Sequence, residues 1–169
     1  MTRTSAAIGS AIFFLVAPCI VAGLVPWSIS HWRFEAPSPG YRPVGILGAA
    51  IAIAGLLLLL DSFVRFAVEG LGTPAPIAPT RHLVIRGAYR FVRNPMYVGV
   101  LALIFGQALL FANLALAVYG LLVWLAVHLF VVFYEEPTLR QTYGAEYDAF
   151  TADVPRWIPR LRPLPRPQA

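Results

Sequence analysis

The chain has 169 residues, of which 59% are hydrophobic and 12% are charged, and its mean hydropathy is +0.71. Soluble domains carry about a quarter charged residues, so this composition argues against a soluble enzyme with a single core. It also excludes disorder, which needs low hydrophobicity and high charge. The net charge of +5 comes from 13 basic residues, all arginine, against 8 acidic ones. In so apolar a chain, arginines beside membrane spans explain this charge better than nucleic-acid binding does, and we expect no nucleic-acid partner.

Four apolar stretches place the chain in a membrane as one domain, residues 1–169. A span needs about 20 apolar residues. The last uncharged run is about twice that length, so it must fold back, and Asn113 marks the turn. The pattern predicts an all-α, polytopic transmembrane bundle with spans at residues 6–27, 44–64, 96–111 and 114–134, followed by a C-terminal segment at 135–169.

The second span carries a stripe of small residues, Gly45, Gly48, Ala52 and Gly55, at intervals of three or four. Such a stripe lets helix backbones approach closely in lipid, so it predicts a tight helix contact. Asp61 and Arg65 lie four residues apart near the end of the same span, and we expect that they can pair on one helix face.

Arginine placement predicts the orientation. With four spans, both chain ends fall on one side of the membrane. Only Arg33 and Arg42 fall on the opposite side, which leaves eleven of the 13 arginines with the ends. Cytoplasmic loops carry the excess of basic residues, so we expect both termini, the 65–95 loop and the C-terminal segment in the cytoplasm.

Polar residues gather in two segments, 81–99 and 134–159, which flank the hairpin of spans 3 and 4 at one membrane face. We therefore expect the 81–97 loop and the C-terminal segment to form a cytoplasmic pocket. Pro95 suits the first turn of a helix and Asn94 suits its N-cap. A helix start attracts anions, and Arg90 and Arg93 would add donors. The same residues would also be explained without a ligand, as a capped helix start whose arginines lie on the cytoplasmic side.

Glu135 and Glu136 are adjacent carboxylates at the end of span 4 and need cationic partners. They are either an interfacial cap paired with arginine or a site for a cation. A metal is the weakest choice, because none of the three histidines has ligand spacing to the carboxylates and Cys19 is alone; we expect no metal. His128, seven residues earlier, is either a hydrogen-bonded packing residue or an intramembrane functional group.

A pocket that combines an anion-binding helix start with a carboxylate pair suits a zwitterion. S-adenosylmethionine is such a ligand, and its adenine would need an apolar or aromatic slot. A lipid head group or an amino acid would fit these residues as well.

The motifs in the two segments are specific when taken together. The first reads G-x-Y-x-x-x-R-N-P-x-Y-x-G; about forty residues later follow E-E-x-x-L-x-x-x-Y-G-x-E-Y and V-P-R-W-I-P. Over about residues 81–160 the chain resembles the isoprenylcysteine carboxyl methyltransferase and phospholipid methyltransferase superfamily. The resemblance implies an integral-membrane methyltransferase of bacterial type, in the inner membrane, that uses S-adenosylmethionine.

The resemblance also implies roles for residues of this chain. His82, Leu83, Val84 and Tyr89 would line the adenine and ribose, with Gly87 beside them. Asn94, Pro95, Met96 and Tyr97 would continue the cofactor wall, and Glu135 would hold the amino end of the cofactor. Arg93 and Glu136 match motif positions that we expect to be catalytic.

Two departures from the prenylcysteine enzymes concern specificity. Those enzymes carry His where this chain has Asn94, and they tend to carry Arg where this chain has Val131. The methyl acceptor therefore stays open between a lipid amine, a thiol and a carboxylate, and we expect it to be lipophilic and to enter from the bilayer, with membrane lipid as the surrounding partner. A neutral acceptor would need a general base, for which Glu136 and His128 are candidates, and Arg93 could orient an anionic one.

Three other classes of protein remain alternatives. A small transporter or channel subunit would place charges mid-membrane and often shows inverted repeats, whereas the charges here cluster at one face. A membrane oxidoreductase of the sterol-reductase type would need a nicotinamide cofactor. A non-catalytic adaptor would use the Pro- and Arg-rich tail, 155–169, although such a tail more simply lies along anionic lipid head groups.

Overall fold

The computed structural model describes residues 16–34, 37–65, 83 and 85–165, and the backbone alone of 66–69. Its described part contains helices and turns and no strand, so the expected all-α class is confirmed at that level. The helices are α1, Val16–Ser30; α2, Arg42–Glu69; α3, Pro95–Leu110; α4, Leu114–Tyr143; and α5, Ala145–Asp153. Short 3-10 turns lie at Pro39–Tyr41 and Gly87–Arg90.

Two of these helices are long and apolar enough to cross a membrane, α2 over Arg42–Arg65 and α4 over Leu114–Tyr143. The helices α1 and α3 are shorter apolar helices within the described residues, so the four-span arrangement stays a prediction. The start of predicted span 1 lies outside the described residues. The helix α4 continues without a break past the predicted span end at 134 to Tyr143.

Small residues hold α2 against α3. A Cβ atom added to Gly48 would lie 2.5 Å from the backbone nitrogen of Leu110, and one added to Gly55 would lie 2.8 Å from the carbonyl oxygen of Gly99. Backbones this close leave no room for a side chain. The predicted small-residue contact is therefore confirmed, and its partner is the third helix, which answers with Gly99 and Gly106.

The turn between α3 and α4 lies where the sequence places it. The helix α3 ends at Leu110, and Ala112 adopts a left-handed φ of 51°. The Asn113 side chain accepts a hydrogen bond of 3.0 Å from the backbone nitrogen of Leu116, which caps the start of α4. The long apolar run is thus a hairpin of two helices.

Both α1 and α4 contain one π turn, and a proline lies two residues after the end of each turn. In α1 the turn Ile20–Leu24 ends as the N–H of Val25 donates to the Ile20 carbonyl, one residue before Pro26. In α4 the turn Val131–Glu135 ends with the same five-residue bond, one residue before Pro137. Proline has no N–H to give to the carbonyl four residues back, so the backbone widens locally. Such π turns often mark functional sites.

Side chains satisfy the carbonyl groups that the π turn of α1 leaves open. Gln107 of α3 donates to the carbonyl oxygen of Ala22 at 2.8 Å, and the Tyr119 hydroxyl of α4 donates to that of Val21 at 2.9 Å. The indole nitrogen of Trp32 donates to Gln107 at 3.0 Å. A carbonyl without a hydrogen bond in an apolar medium costs free energy. These bonds remove that cost only while α1 contacts the hairpin, so they fasten α1 to it.

After α5, residues 154–165 return along the 90–94 segment as an irregular segment, here called the strap. The backbone N–H of Arg93 donates to the Pro155 carbonyl at 2.9 Å, that of Arg160 donates to Phe91 at 2.9 Å, and that of Leu164 donates to Arg90 at 3.0 Å. Tyr147 and Phe150 of α5 and Val154 at the start of the strap form a small buried core. The segments before α3 and after α4 are therefore neighbours at one end of the bundle.

Candidate functional site

A cleft opens at this end of the bundle, between the start of α3, the end of α4 and α5. Its cavity volume is about 90 Å³. The walls combine one carboxylate, one guanidinium and many aromatic and apolar groups. The lining residues are Leu83, Tyr89, Arg93, Asn94, Met96, Tyr97, Glu135, Leu139, Tyr143, Tyr147 and Phe150.

Glu135 and Glu136 are neighbours in sequence but have different partners. Glu135 lines the cleft, where its Oε2 accepts a hydrogen bond of 3.1 Å from the Tyr97 hydroxyl. None of the described arginines forms a salt bridge with Glu135. The π turn of α4 at Val131–Glu135 changes the helical register at the two glutamates. Their side chains therefore project from α4 in different directions than a regular α-helix would give them. The cleft therefore keeps one carboxylate that faces only a neutral donor among the described residues.

Glu136 binds the arginines. Arg156 reaches it through two bonds, from Nε to Oε1 at 2.6 Å and from Nη2 to Oε2 at 2.9 Å, and Arg93 donates from Nη1 to Oε1 at 3.0 Å. The Glu136 side chain is 11% exposed. The prediction that the acidic pair needs cationic partners is confirmed for Glu136, which joins the cleft wall to the strap through a bidentate pair.

Arg93 lies between the cleft and this cluster. It lines the cleft, and its buried Nε has no hydrogen-bond partner among the described residues. Close by, burial and then the negative charge of Glu136 raise the pKa of Tyr147 to about 12, although Arg93 counteracts this by hydrogen bonding. Tyr147 is thus a neutral wall of the cleft, and the buried Nε of Arg93 is left unpaired among the described residues.

Of the twelve residues predicted for the site, seven line the cleft: Leu83, Tyr89, Arg93, Asn94, Met96, Tyr97 and Glu135. Three others lie beside it. Gly87, with a φ of 54°, packs against the Arg65 side chain, so a Cβ there would collide with the guanidinium. Pro95 is fully buried at the first turn of α3, and Glu136 is held by the arginines. His82 and Val84 lie outside the described residues.

Asn94 occupies the expected N-cap position of α3 but does not cap the helix with its side chain. Its amide instead donates to the carbonyl oxygen of Arg156 at 3.2 Å. That part of the prediction is wrong, because the bond from Nδ2 to the returning strap fixes the amide in an orientation in which its oxygen does not accept from the helix N–H groups. Asn94 therefore links the cleft wall to the strap.

The sequence interpretation missed four lining residues, namely Leu139, Tyr143, Tyr147 and Phe150. The first three are the L, Y and Y letters of the second motif and follow Glu135 at intervals of four. That spacing already indicated one shared helix face for Leu139 and Tyr143, whereas Tyr147 lies beyond Gly144 on α5. It also missed Arg156 as the partner of Glu136, although the demand of paired carboxylates for cations pointed to one of the C-terminal arginines.

His128 lies outside the cleft lining. Its ring stacks on Trp124 with centroids 5.3 Å apart, and its Nδ1 accepts a hydrogen bond of 3.1 Å from the Trp157 indole nitrogen. This arrangement is that of a hydrogen-bonded packing residue, one of its two predicted roles.

Two helices long and apolar enough to cross a membrane, with a cleft at one end of the bundle, indicate a helical membrane protein. The sequence profile of the phospholipid methyltransferase family matches residues 44–146, which is more than half of the chain. The chain therefore belongs to this family of membrane methyltransferases, as the motifs predicted. The matched range runs from α2 into α5 and includes the first motif and the acidic pair. No curated protein matches the chain at a significant level.

Proposed function

We propose that the chain transfers a methyl group from S-adenosylmethionine, bound in the cleft, to a lipophilic acceptor that arrives from the bilayer. One observation carries the proposal: the Glu135 carboxylate, oriented by Tyr97, lies in a cleft whose other walls are mainly aromatic and apolar. The membership of a methyltransferase family supplies the reaction class.

The residues present fit such a cofactor. Glu135 would bind its ammonium group, and the guanidinium of Arg93, which lines the cleft and has one unpaired N–H, would bind its carboxylate. Tyr89, Tyr143 and Phe150 would enclose the nucleoside. The cavity is smaller than the roughly 300–1,000 Å³ of typical small-molecule pockets, so the bound nucleoside would extend past the mouth of the cleft.

When bound, the cofactor supplies an electrophilic methyl group on a sulfonium. The protein has then to hold the two reactants in line and to exclude water, and positioning of this kind can contribute most of the rate. We assign Glu136 to fixing Arg93 rather than to accepting a proton, because its carboxylate is already engaged by two guanidinium groups. The acceptor is a lipid amine, a thiol or a carboxylate, and the cleft faces the cytoplasm, where eleven of the 13 arginines would lie.

The test is calorimetric binding of S-adenosylhomocysteine to the purified protein in detergent. We expect micromolar affinity and a loss of at least about 10-fold in Glu135→Ala, since hydrogen bonds to charged groups contribute about 1.5–3 kcal/mol. Tyr97→Ala should weaken binding in the same direction. The matched control is Glu146→Ala, which removes an exposed carboxylate from α5. Undiminished affinity in a folded Glu135→Ala protein would refute the assignment.

The acceptor can be found with membranes in which the protein is reconstituted. Incubation with S-adenosylmethionine that carries a deuterated methyl group should shift the mass of a lipid-extractable molecule, and Glu135→Ala should lose the shift. A label that appears only in water-soluble molecules would contradict a lipophilic acceptor.

A further inference from the structure

The strap after α5, residues 154–165, presents two apolar side chains that nothing in the described structure covers. Ile158 is 78% exposed and Leu161 is 99% exposed. Both belong to a segment whose backbone is fixed by hydrogen bonds to Phe91, Arg90 and Arg93. These side chains are therefore held outward by an ordered backbone.

The attachment of Trp157 gives the depth of this segment. Its indole nitrogen bonds His128 on α4. His128 precedes Glu135 by seven residues, which is roughly 10 Å along a helix. The strap thus dips from the level of the cleft back toward the middle of the bundle. Around His128, α4 exposes Leu125, Leu129 and Phe133, which form an apolar surface of a membrane-crossing helix.

The charges of the strap follow its apolar side chains. Arg160 and Arg162 follow Ile158 after one proline and flank Leu161. Arg160 donates from Nη1 to the Asp153 carbonyl oxygen at 2.9 Å, which leaves its other guanidinium donors for a ligand. Arg162 is exposed and makes no hydrogen bond or salt bridge to any described residue. Pro155, Pro159 and Pro163 lack N–H groups, so the irregular backbone has fewer donors to satisfy in an apolar medium.

We propose that the strap is an interfacial lipid-binding element: Ile158 and Leu161 insert among the acyl chains, and Arg160 and Arg162 bind the phosphate groups of anionic phospholipids. Apolar side chains alone would fit any lipid, whereas the flanking arginines select negative head groups. A soluble acidic partner would not explain why the segment is fastened at the depth of His128 on a lipid-facing helix. The proposal does not depend on methyl transfer, so it can fail or hold separately from the proposed function.

The position is tested with a fluorophore on Leu161→Cys in a Cys19→Ala background, in phosphatidylcholine nanodiscs. The substitution is safe for the fold because Leu161 is 99% exposed. We expect quenching by acyl-chain-brominated lipid and protection from aqueous iodide. The matched control is the label on Ala149→Cys, an exposed position of α5, which should show more quenching by iodide and less by brominated lipid than position 161. Iodide quenching at position 161 without any lipid effect would overturn the proposal.

The selectivity for anionic head groups is tested with the same fluorophore at position 161, in nanodiscs that contain a minor fraction of brominated lipid. Brominated phosphatidylglycerol should quench more strongly than brominated phosphatidylcholine at equal content, with local enrichment of up to about fivefold per arginine. Arg160→Gln with Arg162→Gln should abolish the difference, and Arg162→Gln alone should reduce it if the double variant unfolds. Arg33→Gln, at the opposite end of the bundle, should leave it unchanged. Equal quenching by both lipids, or loss of the difference in Arg33→Gln, would overturn the selectivity.

Discussion

The two adjacent carboxylates illustrate how one helix can give neighbouring residues opposite tasks. Glu136 is neutralised by Arg93 and Arg156 and is nearly buried. Glu135 lies in the cleft with Tyr97 as its hydrogen-bond donor. An ion pair that is largely removed from water is costly to break, because the remaining charges lose their compensation. Glu136 is therefore mainly a structural residue of the site, and Glu135 is the carboxylate available to a ligand.

Replacing Glu136 by Gln should destabilise the protein strongly. Two arginines would lose their carboxylate, and we expect the free energy of unfolding to fall by about 3 kcal/mol, near the low end for breaking a buried ion pair. The matched control is Asp148→Asn, which breaks a 2.7 Å pair with Arg140 whose side chains are 53% and 57% exposed. Surface pairs contribute about 0–1 kcal/mol. Reversible unfolding in mild detergent measures both, and equal small losses would contradict the argument.

The raised pKa of Tyr147 leads us to expect a loss of stability at alkaline pH. Its pKa in the folded protein is raised to about 12, first by burial and then by Glu136. Between pH 10 and 12 the unfolded chain therefore loses this proton while the folded chain keeps it, so the stability that is present below pH 10 falls as the pH rises through this window. Tyr147→Phe should flatten that part of the profile of unfolding against pH. A profile that is equally steep in the variant would show that other groups carry the effect.

At the scale of the helices, the contact of α2 with α3 depends on glycine. A Cβ on Gly106 would lie 2.6 Å from the backbone nitrogen of Ala52 and 2.7 Å from the Gly48 carbonyl oxygen. Gly106→Ala should therefore push the helices apart and cost about 1–3 kcal/mol, as overpacking does. Gly23→Ala is the control, because a Cβ there meets nothing within 4 Å, and it should be neutral or slightly stabilising. Thermal unfolding measures the melting temperatures of the two variants, and we expect a lower one for Gly106→Ala. Similar melting temperatures would refute the close contact.

The π turn of α4 should matter for the cleft because it sets the register of Glu135. Pro137→Ala restores a backbone donor to the helix, which can then regain its four-residue bonds and turn Glu135 away from Tyr97. We expect weaker binding of S-adenosylhomocysteine with unchanged helicity. Pro26→Ala alters the other π turn, away from the cleft, and should leave the affinity intact. Equal affinity in the wild type and Pro137→Ala would show that the proline does not determine the position of Glu135 in the cleft.

Sequence patterns anticipated those elements that depend on local chemistry. Hydropathy located the apolar helices, Asn113 marked the hairpin, and the small-residue stripe of α2 indicated its close contact. Asp61 and Arg65 pair at 2.8 Å, four residues apart, as expected. The motifs also named most of the cleft lining.

The features that were missed depend on contacts between distant parts of the chain. The bond from Asn94 to the Arg156 carbonyl and the choice of Arg156 as the partner of Glu136 arise from the returning strap. No local pattern shows where an irregular segment folds back. The helix α4 continues past the predicted span end at 134, because backbone hydrogen bonding continues through the π turn although hydropathy falls there.

At the scale of the molecule, the two ends of the bundle have different constructions. At one end, Trp32 binds Gln107 and the Tyr41 hydroxyl binds the Leu109 carbonyl, so short contacts close the helices together. At the other end, the helices leave a cleft, and the strap binds two residues of its wall, Arg93 and Asn94. The strap supplies Arg156 to Glu136 and backbone partners to the segment that precedes α3. Cleft geometry should therefore depend on the strap more than helix packing does.

Truncation separates these two dependencies. A chain that ends at Asp153 loses the strap, so Glu136 keeps only Arg93 of its two cationic partners, and Arg90, Phe91 and Arg93 lose their backbone bonds to the strap. The contact between α2 and α3 is untouched. We expect helicity by circular dichroism to persist while binding of S-adenosylhomocysteine is lost and the melting temperature falls. A chain that ends at Pro165 keeps every described contact of the strap and should bind as the full chain does. Should the chain ending at Asp153 retain full affinity, the strap would be an accessory to the membrane surface alone, and the cleft would be complete within the helices.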